Sequence, residues 1–234
     1  MNMIAANEVR VCMNEAGARR QPFLFGVDFE LSEGFFVLDP LGQQEILFEV
    51  GGVSNSPMGE GISGVLSEKM FSMNPMAYEV YQEKFAVVRE GVARGDSFLL
   101  NLTVATGLDT NWTLEEIFHR AQSPYRLLVP GRFVCFSPEI FVRMDEGMIS
   151  SYPMKGTIDA SVPDAERVIL EDYKERSEHN TIVDLIRNDL NRVAERVDVK
   201  RFRYIDRLRV SRGEILQVSS EVTGRLTGDY YSRL

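Results

Sequence analysis

The order in which hydrophobic periods change along the chain restricts its fold more than any other feature. In residues 163–196 apolar side chains fall at positions 182, 185, 186, 190 and 193, a helical spacing, and Pro163-Asp164 supplies a start signal. The β-branched and polar residues between Asn180 and Asn191 predict one break in that helix. Residues 197–204 and 214–226 then return to the alternation of strands. Upstream, residues 23–49 alternate short apolar runs with Gly, Pro and Asp turns, which predicts strands. Residues 76–94 have apolar positions at 77, 78, 81, 85, 88 and 92 and predict a helix closed by Gly95. A strand is expected over Asp96–Thr106. A helix is expected over Thr113–Arg120, where Thr113 and Glu116 have capping-box spacing. Three further strands are expected at 132–136, 140–144 and 148–152, with Asp145-Glu146-Gly147 as the turn between the last two. Strand-rich, then helical, then strand-rich again predicts an α+β fold with antiparallel β-sheets rather than regular βαβ winding. Residues 51–64, rich in Gly, Ser and Pro, read as a loop expected to be mobile.

Charge and cysteine content narrow the function classes. The chain of 234 residues carries 26 Lys plus Arg against 35 Asp plus Glu, a net charge of −9. Nucleic acid is therefore not expected as a partner, because phosphate binding needs a basic face. An acidic ligand needs a cation or local basic groups to offset the repulsion. Cys12 and Cys135 are far apart and read as two reduced thiols. No basic segment leads into an apolar core at the start, and no run approaches the length of a membrane span. The expectation is a cytoplasmic protein with no membrane partner. No Walker loop, HExxH, GxSxG or CxxC pair occurs.

A few residues have positions that suit chemistry. Lys155 lies in PMKGT at the end of a strand, between Pro153, which keeps the chain extended, and Gly156, which permits a turn or a close approach. Desolvated there, its amine becomes a nucleophile; solvated, it is a turn lysine. Glu171, Glu175 and Glu178 fall at i, i+4 and i+7, one stripe of a helix. Such a stripe suits a hard cation such as Mg²⁺, or a solvated face with Lys174 and Arg176 interleaved. Glu139 follows Ser137-Pro138 at a strand entry and is a general acid only if a pocket raises its pKa. His119 and His179 are the two histidines; His179, beside Glu178, either orients it or has the commoner role of a helix-surface or satisfied core histidine. Arg187, Asn188 and Asp189 form a polar run that needs mutual partners if buried.

These signals gain force from their order and wording. GDSFLLNLT (95–103), FSPEIFV (136–142), YPMKGT (152–157), DYKERSEHNTIVDLIRNDL (172–190) and VSSEVTG (218–224) occur in series. Together they resemble the chorismate-utilising enzymes, clearly over residues 76–226 and loosely before that. The fold implied is α+β, with antiparallel β-sheets packed as a sandwich with surrounding helices. Residues 1–234 would form a single chorismate-binding-type domain. Many relatives carry Ala in the middle of P-I-A-G-T, whereas the branch that aminates chorismate at C4, toward p-aminobenzoate and folate, carries Lys there. Lys155 therefore resembles that branch, the aminodeoxychorismate synthases. Same-fold alternatives are anthranilate and isochorismate synthases. A non-catalytic chorismate-fold protein that binds an amidotransferase is the other.

The resemblance implies roles. Lys155 would attack ring carbon C2 as the C4 hydroxyl leaves, and Glu139 would protonate that hydroxyl. Ammonia from a separate glutamine amidotransferase subunit would then add at C4 and expel the lysine. Glu178 and Glu175 match metal-ligand positions for Mg²⁺, and Gly156 and Thr157 would line the substrate pocket. Gln217 stands where many relatives have His. It keeps donor and acceptor groups for substrate binding but cannot relay protons as His does. Family members continue for about a hundred residues beyond VSSEVTGRL, a domain's worth of further structure. On that comparison the fold is incomplete at its C-terminal end, and the chain as given is expected to be inactive and poorly stable alone.

Overall fold

A computed structural model of the chain describes residues 2–56, 70–98, 100–210 and 213–228. In chain order the elements are β1 (Ile4–Ala5), α1 (Ala6–Ala18), β2 (Phe23–Val27), β3 (Glu33–Leu38), β4 (Leu47–Val50), β5 (Val53–Ser54), β6 (Phe71–Asn74) and α2 (Tyr78–Arg94). There follow β7 (Gly107–Thr110), α3 (Leu114–Arg120), β8 (Tyr125–Val129), β9 (Phe133–Phe136), β10 (Arg143–Asp145), β11 (Met148–Ser151) and β12 (Met154–Asp159). The last four are α4 (Ala165–Glu171), α5 (Tyr173–Leu190), β13 (Ala194–Val210) and β14 (Gly213–Leu226). The described strand pairs are all antiparallel, so the α+β reading with antiparallel sheets holds.

The chain divides into two compact units, one of Met1–Pro40 with Pro138–Leu234 and one of Leu41–Ser137. The first holds a three-stranded sheet, β1-β3-β2, and a five-stranded sheet in which β14 is central. β13 runs along one side of β14, while β11 and β12 share its other side. Helix α5 packs on this sheet through Val183 and Leu190, which meet Ile149, Ala194, Val222 and Leu226 in a buried cluster. Each fully buried aliphatic side chain of that kind contributes about 1.5–3 kcal/mol relative to exposure. The second unit holds a four-stranded sheet, β5-β4-β8-β9, and the ribbon β6-β7.

Signals that close within a single turn form as the sequence predicts. Gly95 ends α2 in the left-handed conformation, φ +83°. The Thr113–Glu116 capping box forms at α3 with both reciprocal hydrogen bonds, 3.0 and 3.1 Å. The turn at Glu146-Gly147 joins β10 to β11. Other expectations moved. No strand spans 96–106: residues 96–98 and 100–106 have no regular structure, and Leu99 lies outside the described residues. Alternation marks a strand only where a neighbour offers ladder hydrogen bonds. No described strand does so here, and Phe98 is 97% exposed. The strand forms later, at β7 against β6. The helix break falls at Asp172, not between 180 and 191. There ψ turns to 118° and the Asp172 carboxylate accepts from the Glu175 N–H, starting α5 afresh. Helix α1 carried no recognised signal. Of the loop expected at 51–64, Val53–Ser54 form β5 against β4, and residues 57–64 lie outside the described residues.

Candidate active site

Two residues in β12 do not fit the ladder. Met154 pairs with Ser219 and Thr157 with Gln217, so Lys155 and Gly156 together oppose the single residue Val218. This is a β-bulge, a device that re-aims side chains. Both bulge residues face the helices. A Cβ on Gly156 would meet Glu175 Oε2 at 3.2 Å and Ile169 Cδ1 at 3.5 Å, and Lys155 Nζ reaches Glu178 Oε2 at 3.4 Å. Gly156 also has φ +95°, a conformation that L side chains avoid. Gly156→Ala is expected to cost about 1–3 kcal/mol in strain and to push Glu175 aside. Urea unfolding of the variant checks this, and a loss under about 0.5 kcal/mol would contradict it.

Helix α5 presents the acids. Glu175 and Glu178 occupy its first two turns, where the helix dipole favours negative charge. Lys174 Nζ lies 3.2 Å from Glu175 and 3.3 Å from Glu178. Glu178 thus sits between two ammonium groups, Lys174 and Lys155. Burial is the largest single influence on Glu178 and raises its pKa. The hydrogen bonds and charges of Lys174 and Lys155 together outweigh it and hold the carboxyl below the usual range. The Glu175 hydrogen bond, foremost, and Glu178 raise the pKa of Lys174. Because the Glu178 pKa is depressed on folding, its stabilisation is present above the ordinary glutamate value and is lost as pH falls through the depressed one. Melting temperature followed from neutral to acid pH should therefore fall less steeply in Glu178→Gln. Parallel curves for the two proteins would contradict this.

The three-glutamate stripe is not one stripe. The break at Asp172 puts Glu171 on α4, where it pairs with Arg167 at 3.1 Å, and leaves Glu175 and Glu178 as the facing pair. Thr157 and Gln217 are cross-strand partners, and alternation places them on the sheet face opposite Lys155. Glu139 is exposed in the irregular segment between β9 and β10, and among the described residues it makes no ion pair or hydrogen bond with the lysine cluster. The run GEGISG (59–64) has G-x-G-x-x-G spacing but lies outside the described residues.

Beneath the bulge lies a group whose surroundings sequence reasoning missed. His179 is fully buried, with Nε2 2.6 Å from Ser220 Oγ and its ring edge-on to Phe202. Ser220 Oγ also accepts from the Arg203 N–H at 2.9 Å. Burial chiefly pushes the His179 pKa down; the Lys155 backbone pulls it back and the Arg203 charge adds to the depression. Nothing in VSSEVTG distinguishes Ser220 as a partner, since the pairing depends on strand register.

As metal ligands, Glu175 and Glu178 supply hard oxygens of the kind Mg²⁺ takes one or two of, alongside water or substrate oxygens. Among the described residues no group of three or more His, Cys, Asp or Glu side chains is arranged to hold a metal by itself. The donor set fits Mg²⁺ as a partial site.

An antiparallel α+β fold that holds a bulge lysine against Glu178, with Glu175 one turn earlier on the same helix, is thus built from the residues 136–224 motif series. The chain matches the chorismate binding enzymes over residues 66–232, and it belongs to that family. An uncharacterised PabA-like protein of Haemophilus influenzae is 44% identical over 222 residues, covering 94% of this chain and 66% of that protein. A similar protein of Pasteurella multocida is 43% identical over 226 residues, 94% of this chain and 68% of its own length. The chain therefore spans about two thirds of the length of these relatives. Aminodeoxychorismate synthase component 1 of Salmonella typhimurium is 34% identical over 132 residues, 51% of this chain and 29% of that enzyme. A solved Bacillus anthracis structure, assigned as a 2,3-dihydroxybenzoate-specific isochorismate synthase, shares the fold with TM-score 0.60 at 17% identity. The match covers 97% of this chain and 64% of that one. Among the described residues no helix is long and apolar enough to cross a membrane.

Proposed function

We propose that the protein aminates chorismate at C4 to give 4-amino-4-deoxychorismate, in the cytoplasm, as the chorismate-binding part of an enzyme whose domain includes residues 1–234. The observation that carries this reading is Lys155: a lysine, not the Ala of most relatives, displayed by a bulge and held at 3.4 Å from Glu178. Its amine forms a bond to ring C2, both ring double bonds shift (C1=C2 to C1=C6 and C5=C6 to C4=C5), and the C4–O bond breaks. Glu139 gives its proton to the departing hydroxyl, which leaves as water. Ammonia then attacks C4, both double bonds shift back, and the lysine amine departs from C2. Chorismate and ammonia so become aminodeoxychorismate and water, and no oxidant or reductant is needed. Glu175 and Glu178 would hold Mg²⁺. When bound, the ion supplies positive charge against the carboxylates of the substrate. Gly156 would give the substrate space beside Lys155, whereas Thr157 and Gln217, on the opposite face of the sheet, are left out of the substrate contacts. Ammonia would come from a separate glutamine amidotransferase subunit.

Product analysis tests the proposal. The protein, expressed to its natural stop codon, is incubated with chorismate, Mg²⁺ and ammonium, and the products are separated by chromatography. Aminodeoxychorismate, formed only with ammonium, is expected. Anthranilate or isochorismate as the product would overturn the reading in favour of a sister reaction. Tight chorismate binding without turnover would favour a non-catalytic binding protein.

A further inference from the structure

Two bulges face each other across β14. On one side Lys155-Gly156 oppose Val218; on the other, Phe202-Arg203 oppose Ser220, because Arg201 pairs with Glu221 and Tyr204 with Ser219. The second bulge holds Arg203 at φ +49°, a left-handed conformation that such a side chain keeps only where its surroundings fix it. Its contacts lead to both helices. The Arg203 N–H donates to Ser220 Oγ at 2.9 Å, and Ser220 Oγ lies 2.6 Å from Nε2 of His179 on α5. The neighbouring Phe202 ring meets the His179 ring edge-on at 5.9 Å. The Arg203 guanidinium reaches the end of α4 instead, donating to the Leu170 carbonyl at 2.9 Å and to the Ile169 carbonyl at 3.4 Å. Those are the carbonyls that the helix break strips of donors. In an unbroken helix Ile169 would accept from the N–H of Tyr173, and Leu170 from that of Lys174. With ψ turned to 118° at Asp172, Val168 is the last to keep its donor four residues on, the Asp172 N–H at 3.1 Å. Bare carbonyls at a helix C-terminus suit a cationic donor, which the helix dipole also favours. The break in turn decides which acids face the lysine bulge. Gly156 lies against Ile169 of α4 and Glu175 of α5, and Lys155 reaches Glu178, whereas Glu171, before the break, pairs with Arg167.

We propose that Arg203 is a positioning residue for the lysine–glutamate pair: by donating to the carbonyls that the α4–α5 break leaves bare, it holds the break and so sets Glu175 and Glu178 against the Lys155 bulge. One bulge of the sheet displays the lysine, and the bulge across β14 fixes the helix that answers it. Loss of the guanidinium lets α4 and α5 change their angle at Asp172, and the carboxylates then leave the lysine. The catalytic part of the proposal rests on the proposed roles of Lys155 and the Mg²⁺ ligands; the anchoring of the break does not.

Two replacements test this. Arg203→Asn tolerates the left-handed backbone and keeps the N–H for Ser220, but its side chain is too short for the α4 carbonyls. Arg203→Lys is long enough to give one of them a donor. In the protein, expressed to its natural stop codon and kept free of Mg²⁺, the rate at which acetic anhydride labels Lys155 is read by peptide mass, with and without Glu178→Gln. With Arg203 in place, Glu178→Gln is expected to change that rate about two-fold or more, the scale of a solvated ion pair. In Arg203→Asn the change is expected to vanish, and in Arg203→Lys to return in part. An undiminished effect of Glu178→Gln in Arg203→Asn would overturn the proposal, and so would the lack of any effect with Arg203 in place. Hydrogen exchange separates the anchor from general loosening. Arg203→Asn is expected to speed exchange of the Asp172 and Arg176 amides, which bond beside the break, about ten-fold or more, with β14 unchanged. A rise shared equally by β14 would reduce Arg203 to a packing residue. In turnover, Arg203→Asn is expected to raise the Mg²⁺ concentration for half-maximal rate about ten-fold, and Arg203→Lys to recover part of it. A vanished labelling effect with no chorismate amination in any variant would leave the positioning role intact and overturn only the proposed reaction.

Discussion

Lys155→Ala is expected to lower chorismate amination by about 10³-fold or more, the scale seen when a covalent nucleophile is removed. The variant should still fold. The side chain is 38% exposed and its ion pair with Glu178, 31% exposed, is of the solvated kind whose contribution to stability is about 0–1 kcal/mol. Substrate binding should change little, because the lysine is asked to form a bond rather than to hold the ring. Lys155→Arg separates charge from nucleophilicity. It keeps a cation beside Glu178 but cannot form the adduct, so it should be as inactive as Ala. Initial rates with saturating ammonium check both variants. Retention of more than about a tenth of wild-type kcat in Lys155→Arg would show that the residue acts by charge alone.

The second large effect concerns stability and lies in the other unit. Arg126 on β8 reaches Glu49 on β4 at 2.6 Å, with side chains 8% and 15% exposed. The same guanidinium donates to the Phe118 and Ala121 carbonyls at 3.1 and 2.8 Å, and it lies 4.9 Å over the Phe118 ring. It thereby satisfies carbonyls at the end of α3 that the helix itself cannot. Arg126→Ala leaves Glu49 charged and nearly buried and those carbonyls without their donor. The expected loss is about 3–5 kcal/mol, the range for breaking one side of a buried pair. Trp112, the single tryptophan, belongs to the same unit, so its fluorescence in a urea titration reads this loss where it occurs. Arg126→Lys should recover only part, since one ammonium cannot serve three acceptors in the geometry of a guanidinium. A loss under about 1 kcal/mol for Arg126→Ala would mean that water or rearrangement replaces the guanidinium.

How much of this was readable beforehand follows the distance over which each signal acts. Thr113 and Glu116 are three residues apart and complete their box within one helical turn, so their types sufficed. Gly95 acts on its own φ. The pairing of Lys155 with Glu178 needed more. Wording placed both residues in one site, but spacing did not, because the contact crosses from β12 to α5. The glutamate stripe loses one member, Glu171, to α4. Asp172 is an ordinary helix residue in a periodicity count and becomes a cap only once α4 has turned away. The 96–106 segment failed for the same reason in reverse: its alternation was real and its pairing partner was not available. Arg126–Glu49 and His179–Ser220 are separated by 77 and 41 positions and depend on strand register, which no local pattern encodes.

The central claim is that Lys155 becomes covalently bonded to the ring of chorismate. Intact-protein mass spectrometry tests it most directly: the protein, expressed to its natural stop codon, is mixed with chorismate and Mg²⁺ in the absence of ammonia. The predicted result is a gain equal to chorismate less one water, located by peptide mapping at Lys155, abolished in Lys155→Ala and discharged when ammonium is added. Chorismate consumed with no mass gained, or a mass gained that persists in Lys155→Ala, would contradict the account.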